Sequence, residues 1–322
     1  MRKVFLNGEF VPETEAKISI YDSALMFGDM VFEMTRSFNK VQFKLREHLE
    51  RLYTGLKIFR IPLIMTIEEM EVACLETIKV NEPFFSETDE HRLMINVSRG
   101  PLGIYSPIFG ENLEPSVVIA DFPLKWTVAS MSSLYDKGIN SVIPSQRSIP
   151  ATLMDPKIKN RSRMWYQMAN IEVSQVKGDN NWALLIDPDG YITEGTGDNF
   201  FMIKSGVLYT PEGRNILRGI SRGYVFELAE QLGIECKEVN IEPFDLYSAD
   251  EAFLTGTPFC ILPTTHLNGL PIGDGVMGEI TKMLLEKWSE NVGLDIIKQI
   301  KSYGAEVNEL KTANAPTPYQ FK

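Results

Sequence analysis

The chain has 322 residues, with 32 Lys plus Arg against 43 Asp plus Glu and a formal net charge of −11. At roughly 100–200 residues per domain, that length predicts two domains. A hydrophobic fraction of 44% with 23% charged residues excludes a disordered chain. The acidic balance argues against a surface that tracks nucleic-acid backbones, which needs clustered Lys and Arg, and leaves room for a local cationic pocket. Cys74, Cys236 and Cys260 stand far apart and form no CxxC. That speaks against a cysteine zinc site or a disulfide framework and points to a reducing cytoplasm. The histidines, His48, His91 and His266, leave little for a His-rich metal site. The first residues carry no apolar stretch of signal-peptide type, and no run of ~18 apolar residues predicts a membrane span.

Along the chain, Val4-Phe5-Leu6 and Phe10-Val11 flank Asn7-Gly8, which predicts a β-hairpin. A second hairpin is expected where Val31–Phe38 and Val41-Gln42-Phe43 flank Asn39-Lys40. From about Glu47, Leu49, Leu52, Leu56 and Phe59 recur at helical steps and predict one apolar helix face. Thr66-Ile67-Glu68-Glu69 is a capping-box pattern that opens another helix. Arg92–Arg99 and Ser116–Ala120 read as strands, and Phe122–Lys137 as a join between domains. A helix near Met164–Val176, a strand Trp182–Ile186, a turn at Asp187-Pro188-Asp189-Gly190, a strand pair around Lys204-Ser205-Gly206 and a helix over Ser221–Leu232 follow. A last helix is expected over Val276–Glu290, then a polar tail with Ala315-Pro316-Thr317-Pro318. The order lacks a regular βαβ rhythm, which favours an α+β architecture.

Three motifs bear on chemistry. Gly273-Asp274-Gly275-Val276-Met277-Gly278 matches GxGxxG, but a dinucleotide site also needs a strand before it and a βαβ unit after it. A glycine-rich turn into a helix is the better reading. Gly219-Ile220-Ser221-Arg222-Gly223 matches GxSxG. As a hydrolase elbow it needs a strand running into it, with an acid and then a histidine downstream. The same residues suit a helix start, either capped by Ser221 or offering N–H groups to an anion such as phosphate. Glu194-Gly195-Thr196-Gly197-Asp198-Asn199 lies between apparent strands flanked by Tyr191-Ile192 and Phe200-Phe201. It is either a hairpin turn with a solvated acid or an enclosed carboxylate that needs a partner.

Seven segments taken in order resemble one family. They are Phe27-Gly28-Asp29-Met30-Val31-Phe32-Glu33, Arg46-Glu47-His48, Val97-Ser98-Arg99-Gly100, Asp155-Pro156-Lys157-Ile158-Lys159, Glu194-Gly195-Thr196-Gly197-Asp198-Asn199, Leu217-Arg218-Gly219-Ile220-Ser221 and Thr255-Gly256-Thr257. Over about Phe5–Trp288 the chain is similar to the class IV (fold-type IV) pyridoxal-phosphate aminotransferases, which include branched-chain and D-amino-acid aminotransferases. The resemblance implies an α+β fold with a small N-terminal lobe and a larger lobe built on a barrel-like mixed sheet. It implies 1–121 as the small domain, 122–137 as a linker, 138–295 as the cofactor domain and 296–322 as a polar tail. It further implies a homodimer, an amino donor and a 2-oxo acid as substrates, and pyridoxal 5'-phosphate as cofactor.

The resemblance assigns roles residue by residue. Lys159 is the lysine whose amine bonds the cofactor and shuttles the substrate proton; Lys157 is its competitor, because alternate residues of a strand share a face. Glu194 keeps the pyridine nitrogen protonated. Arg46 is the counter-charge of the phosphate, with Ile220, Ser221 and Thr257 as its donors, and Leu217 packs on the ring. Arg99, then Arg36, are the candidates for the substrate carboxylate. Phe27, Met164 and Pro258 line the substrate side, and each departs from the family's usual residue, as does Met34. Proline has no N–H, so Pro258 cannot make the backbone contact that the family's small residue makes to the substrate carboxylate. With fewer hydroxyls, this pocket suits branched-chain or other apolar groups. An (R)-amine or D-amino-acid transaminase, an aminodeoxychorismate-type lyase and a Ser221 hydrolase are the alternatives.

Overall fold

The computed structural model describes residues 1–309, with the side chains of 307–309 left out of account. Two compact units result: Met1–Leu124 with Ile158–Arg163, and Lys125–Lys157 with the chain from Met164 onward. The division places the expected linker differently. Lys125–Val128, Ala129–Met131 and Leu134–Lys137 are short helical turns that bury Val128, Met131, Leu134 and Tyr135 inside the second unit. The expected tail differs as well. Ile296–Glu309 is a helix that packs on those turns and buries Ile296, Ile300 and Tyr303. The tail's proline-containing part lies outside the described residues.

The first unit is an antiparallel sheet in the order Glu9–Pro12, Lys3–Leu6, Ser116–Pro123, His91–Ser98, Met30–Met34. Asn7 and Gly8 both take positive φ, as the two-residue hairpin turn requires. Helices Leu45–Phe59 and Ile67–Asn81 pack against the sheet. The first buries Leu45, His48, Leu49, Leu52 and Leu56 at steps of three and four, as its sequence predicts. The second carries the full capping box, with Thr66 Oγ1 accepting from the Glu69 N–H and the Glu69 carboxylate accepting from the Thr66 N–H.

Ile158–Arg163 returns to this unit along the open side of Met30–Met34. The Phe32 N–H donates to the Lys159 carbonyl at 2.9 Å, the Arg161 N–H donates to the Met30 carbonyl at 3.0 Å, and Val31 stands opposite Asn160. This two-bond pairing fixes which way the side chains of that segment point.

The second unit holds a mixed sheet that closes on itself. Its ring runs Ile192–Gly195, Asn181–Ile186, Ile139–Val142, Cys260–Leu267, Glu251–Gly256, Asn199–Lys204, and the pair Glu194↔Asn199 completes it. Val207–Pro211 extends the sheet antiparallel to Asn199–Lys204, and Cys236–Val239 pairs parallel to Val207–Pro211 after helix Ile220–Leu232. Closure removes free edges along the ring. The glycine-rich segment 273–278 is a turn: Gly273 and Gly275 have positive φ, and a Cβ on Gly273 would meet the Asp250 carbonyl at 2.1 Å. The helix after it, Glu279–Val292, has its first N–H groups filled by the Glu251 carboxylate, which accepts from Ile280 and Thr281. A pyrophosphate therefore has no claim on that terminus.

Candidate active site

Glu194 sits on the closing strand, 4% exposed. The Tyr166 hydroxyl donates to its Oε1 at 2.6 Å. Its Oε2 accepts from Asn199 Nδ2 and from the Leu217 N–H, both at 3.0 Å. Asn199 Nδ2 also donates to the Leu217 carbonyl at 2.8 Å, so one amide locks the carboxylate to the loop that leads into helix Ile220–Leu232. That lock needs a glycine at the helix entry: a Cβ on Gly219 would lie 2.2 Å from Asn199 Oδ1. Three donors thus converge on the two Glu194 oxygens. The enclosed-acid reading of the Glu194 loop is the correct one.

Helix Ile220–Leu232 begins at Gly219 with no side-chain cap, although Ser221 lies one residue inside it. Its first N–H groups are thus not taken by a capping side chain. No strand runs into it, because 212–219 is turn and coil. The nucleophile elbow is therefore ruled out: its serine must top a strand-to-helix turn, and Ser221 is the second helical residue. Thr257 and Pro258 occupy the turn between Glu251–Gly256 and Cys260–Leu267. The missing N–H of Pro258 therefore falls on a loop at the end of two ring strands.

In the first unit, Glu33 is fully buried on strand Met30–Met34. Arg51 grips it with two bonds, Nε to Oε1 at 2.6 Å and Nη2 to Oε2 at 2.8 Å, and His48 Nδ1 lies 2.7 Å from Oε2. Burial alone would raise the Glu33 pKa, but Arg51 and His48 outweigh it and hold the carboxyl well below the usual range. Burial, against the pull of Glu33, lowers the His48 pKa, and the nearby charges of Arg51 and Lys159 lower it further. His48 is then neutral near pH 7 and donates its Nδ1–H to Glu33.

Lys159 belongs to this neighbourhood, with Nζ 4.9 Å from the centroid of the buried Phe32 ring. Lys157 does not: in the second unit its Nζ pairs with Asp155 at 2.8 Å and donates to the Arg214 carbonyl at 3.1 Å. The ambiguity left by strand alternation is resolved by the backbone, since Lys157 is in a turn and Lys159 in the paired segment.

The structure corrects the expectation for Arg46. Its guanidinium stands on the exposed face of helix Leu45–Phe59 and pairs with Glu68 at 2.8 Å, Glu71 at 3.3 Å and Glu50 at 3.5 Å. Arg51, three residues after the buried His48, is the arginine that the helix turns inward. Helical periodicity alone does not separate the two, because at about 100° per residue positions 46 and 51 stand on opposite flanks of the Leu45–Leu49–Leu52–Leu56 face; the buried Glu33 lies on the side of Arg51. Arg99 is corrected too. It grips Asp29 at 2.6 and 3.3 Å and donates to the Phe59 and Arg60 carbonyls at 2.7 and 2.9 Å. A cation there satisfies the C-terminus of helix Leu45–Phe59, which is a structural task. Arg36 is 1% exposed, with its guanidinium 3.8 Å from the Phe38 centroid. Phe27 and Met164 are both exposed, at the end of helix Ser23–Phe27 and the start of helix Met164–Ser174. Sequence reading passed over Tyr166, Asn199, Arg161 and Arg163.

A family model, amino-transferase class IV, matches residues 30–267. The chain belongs to the class IV aminotransferases. It is 37% identical over 290 residues to a Methanocaldococcus jannaschii protein whose name provisionally assigns it to the branched-chain-amino-acid aminotransferases, covering 89% of this chain and 96% of that one. It is 31% identical over 287 residues to the branched-chain-amino-acid aminotransferase of Escherichia coli K12, covering 87% and 90%. Among solved structures, the T.th. branched-chain amino acid aminotransferase with pyridoxamine 5'-phosphate aligns with a TM-score of 0.80 at 30% identity, over 91% of this chain and 94% of that one. A complex of the same enzyme with N-(5'-phosphopyridoxyl)-L-glutamate aligns at 0.79 and 29%, with the same coverage. The fold is thus the fold-type IV arrangement.

Proposed function

We propose that this aminotransferase uses pyridoxal 5'-phosphate to move the amino group of a branched-chain amino acid to a 2-oxo acid. One observation carries the reading. The buried Glu194 carboxylate and the uncapped start of helix Ile220–Leu232 are tied together by Asn199 and Leu217. That assembly suits a ligand with a basic ring nitrogen and a phosphate. When bound, pyridoxal phosphate supplies a carbon that captures amines and a ring that withdraws electrons from the substrate's Cα.

The residues then divide the work. Lys159 would hold the cofactor through Nζ and would take and return the proton at the substrate's Cα. Glu194 holds a proton on the ring nitrogen. The N–H groups of Ile220 and Ser221, with Thr257, would hold the phosphate, and Leu217 would offer an apolar surface to the ring. Arg51, in place of Arg46, supplies the fixed cation, its side chain already set by Glu33. The names of the similar proteins and the hydroxyl-poor residues Phe27, Met34 and Met164 support an apolar side chain on the substrate. A homodimer and cytoplasmic residence are part of the proposal. The first is supported by the exposed run Leu25, Met26 and Phe27, the second by Cys74, Cys236 and Cys260 all being free thiols.

A donor panel of L-leucine, D-alanine and (R)-1-phenylethylamine, with 2-oxoglutarate and pyruvate as acceptors, tests this. Leucine with 2-oxoglutarate should be the fastest pair. Faster turnover of D-alanine or the amine would overturn the substrate assignment, and pyruvate release without an acceptor would indicate a lyase.

A further inference from the structure

The substrate's carboxylate lacks an anchor in the residues so far assigned. Pro258 has no N–H to offer, Arg99 is committed to Asp29 and to the end of helix Leu45–Phe59, and Arg36 is buried against the Phe38 ring with its Nε donating to the Ser37 carbonyl. The carboxylate is attached to the carbon whose proton Lys159 removes, so its anchor must stand close to Lys159 Nζ.

The backbone pairing of Ile158–Arg163 brings such cations there. Asn160 pairs with Val31, so its neighbours Lys159 and Arg161 lie on the same side of the segment, and Arg163 comes to the same ring after a bend at Arg161. Lys159 stands across from Phe32, and its two successors converge on the same ring. The Arg161 guanidinium lies 3.6 Å and that of Arg163 5.6 Å from the Phe32 centroid, against 4.9 Å for Lys159 Nζ. All three are within the range in which a cation is held by a ring face. Arg161 is further fixed by Asn96 Oδ1, which accepts from its Nε at 3.1 Å and its Nη2 at 2.7 Å. The buried acid of this neighbourhood, Glu33, is already gripped by Arg51 and His48. Two guanidinium groups beside the lysine that works at Cα make a local field that favours an anion.

We propose that Arg161 and Arg163 form the subsite for the α-carboxylate of the amino acid and of the 2-oxo acid, which makes that carboxylate a requirement for good substrates. Arg161, stacked and fixed, sets the plane of the site. Arg163 closes on the carboxylate. The inference rests on the transaminase reading, since it takes Lys159 as the residue that works at Cα.

The test uses the holoenzyme and two inhibitors of one shape, 4-methylvalerate and its neutral amide. In the wild type the carboxylate should bind at least tenfold more tightly. Arg163→Met should weaken the carboxylate at least tenfold while changing the amide less than twofold, with KM for leucine rising and kcat nearly unchanged. Arg163→Lys should restore part of the carboxylate affinity. Equal binding of both inhibitors by the wild type, or equal losses for both in Arg163→Met, would overturn the subsite. So would an unchanged carboxylate affinity. The yellow absorbance of the cofactor bound at Lys159 separates the two readings. If it is missing from the wild type the cofactor assignment falls, and if it is present while carboxylate discrimination is missing only the subsite falls.

Discussion

Tyr166 donates its hydroxyl to Glu194 Oε1 at 2.6 Å, from the buried side of helix Met164–Ser174 to the strand that closes the ring. The pair shares its environment with Val142, Ala169 and Leu185, which pack around the Tyr166 ring. A hydrogen bond to a charged acceptor contributes roughly 1.5–3 kcal/mol, and here it also aims the carboxylate.

Tyr166→Phe keeps the ring in its core and removes only that donor. With Asn199 and the Leu217 N–H remaining, activity should fall about tenfold, in line with the loss of ~1.4 kcal/mol, while the protein stays folded and binds cofactor. Asn199→Ala should cost more, because that amide serves both Glu194 and the Leu217 carbonyl. Steady-state kinetics with cofactor titrations would check this, and equal activity in wild type and Tyr166→Phe would contradict it.

Arg51 and Arg46 lie on one helix and should behave oppositely. Arg51→Ala leaves the buried Glu33 with His48 alone, and breaking such a pair costs roughly 3–5 kcal/mol. Cofactor affinity measured on the folded fraction should drop at least tenfold. Arg51→Lys keeps the charge but loses the two-pronged grip, so it should recover only part of both. Arg46→Ala should leave melting temperature and cofactor affinity unchanged, since its partners Glu50, Glu68 and Glu71 are all on the surface. Fluorescence titration with thermal melts distinguishes the two sites.

Acid should destabilise the protein through His48 and Glu33 together. The His48 pKa is lowered in the folded state, so below about pH 6.5 the unfolded chain binds a proton that the folded one resists. Stability falls as pH drops from there. The Glu33 pKa is also lowered. Its contribution is present above its ordinary value of 4.5 and is lost as pH falls through the folded value. Both titrations have the same sign. Urea unfolding at about pH 7 and about pH 5 should show the wild type weakened by acid and His48→Gln weakened less. A steeper acid loss in His48→Gln would contradict the assignment.

Much of this architecture is readable from residues alone. The Asn7-Gly8 turn, the Thr66–Glu69 box and the Leu49–Leu52–Leu56 stripe are local patterns, and local patterns survive folding. The helix at Ile296–Glu309 escaped because its apolar positions, Ile296, Ile300 and Tyr303, gain meaning only once the turns of 125–137 supply a partner surface. Arg46 and Arg51 flank the apolar face of their helix on opposite sides, and only the position of Glu33 on the neighbouring strand selects Arg51. Tyr166 and Asn199 could not be linked to Glu194 from spacing, since 28 and 5 residues separate them from it; the packing of helix Met164–Ser174 on Asn181–Ile186 brings the one, and the Glu194↔Asn199 pair the other. The convergence of Lys159, Arg161 and Arg163 on Phe32 depends on the pairing of Asn160 with Val31, a long-range contact that no local pattern announces.

The central claim is that Lys159, and not Lys157, is the lysine that bonds the cofactor. The direct measurement is the absorbance of the purified protein with pyridoxal phosphate, followed by borohydride reduction and mapping of the labelled residue. Lys159→Ala should lose the yellow band and the trapped adduct, whereas Lys157→Ala should keep both, losing only a contact with Asp155 and the Arg214 carbonyl. A trapped adduct on Lys157, or one that persists in Lys159→Ala, would contradict the account.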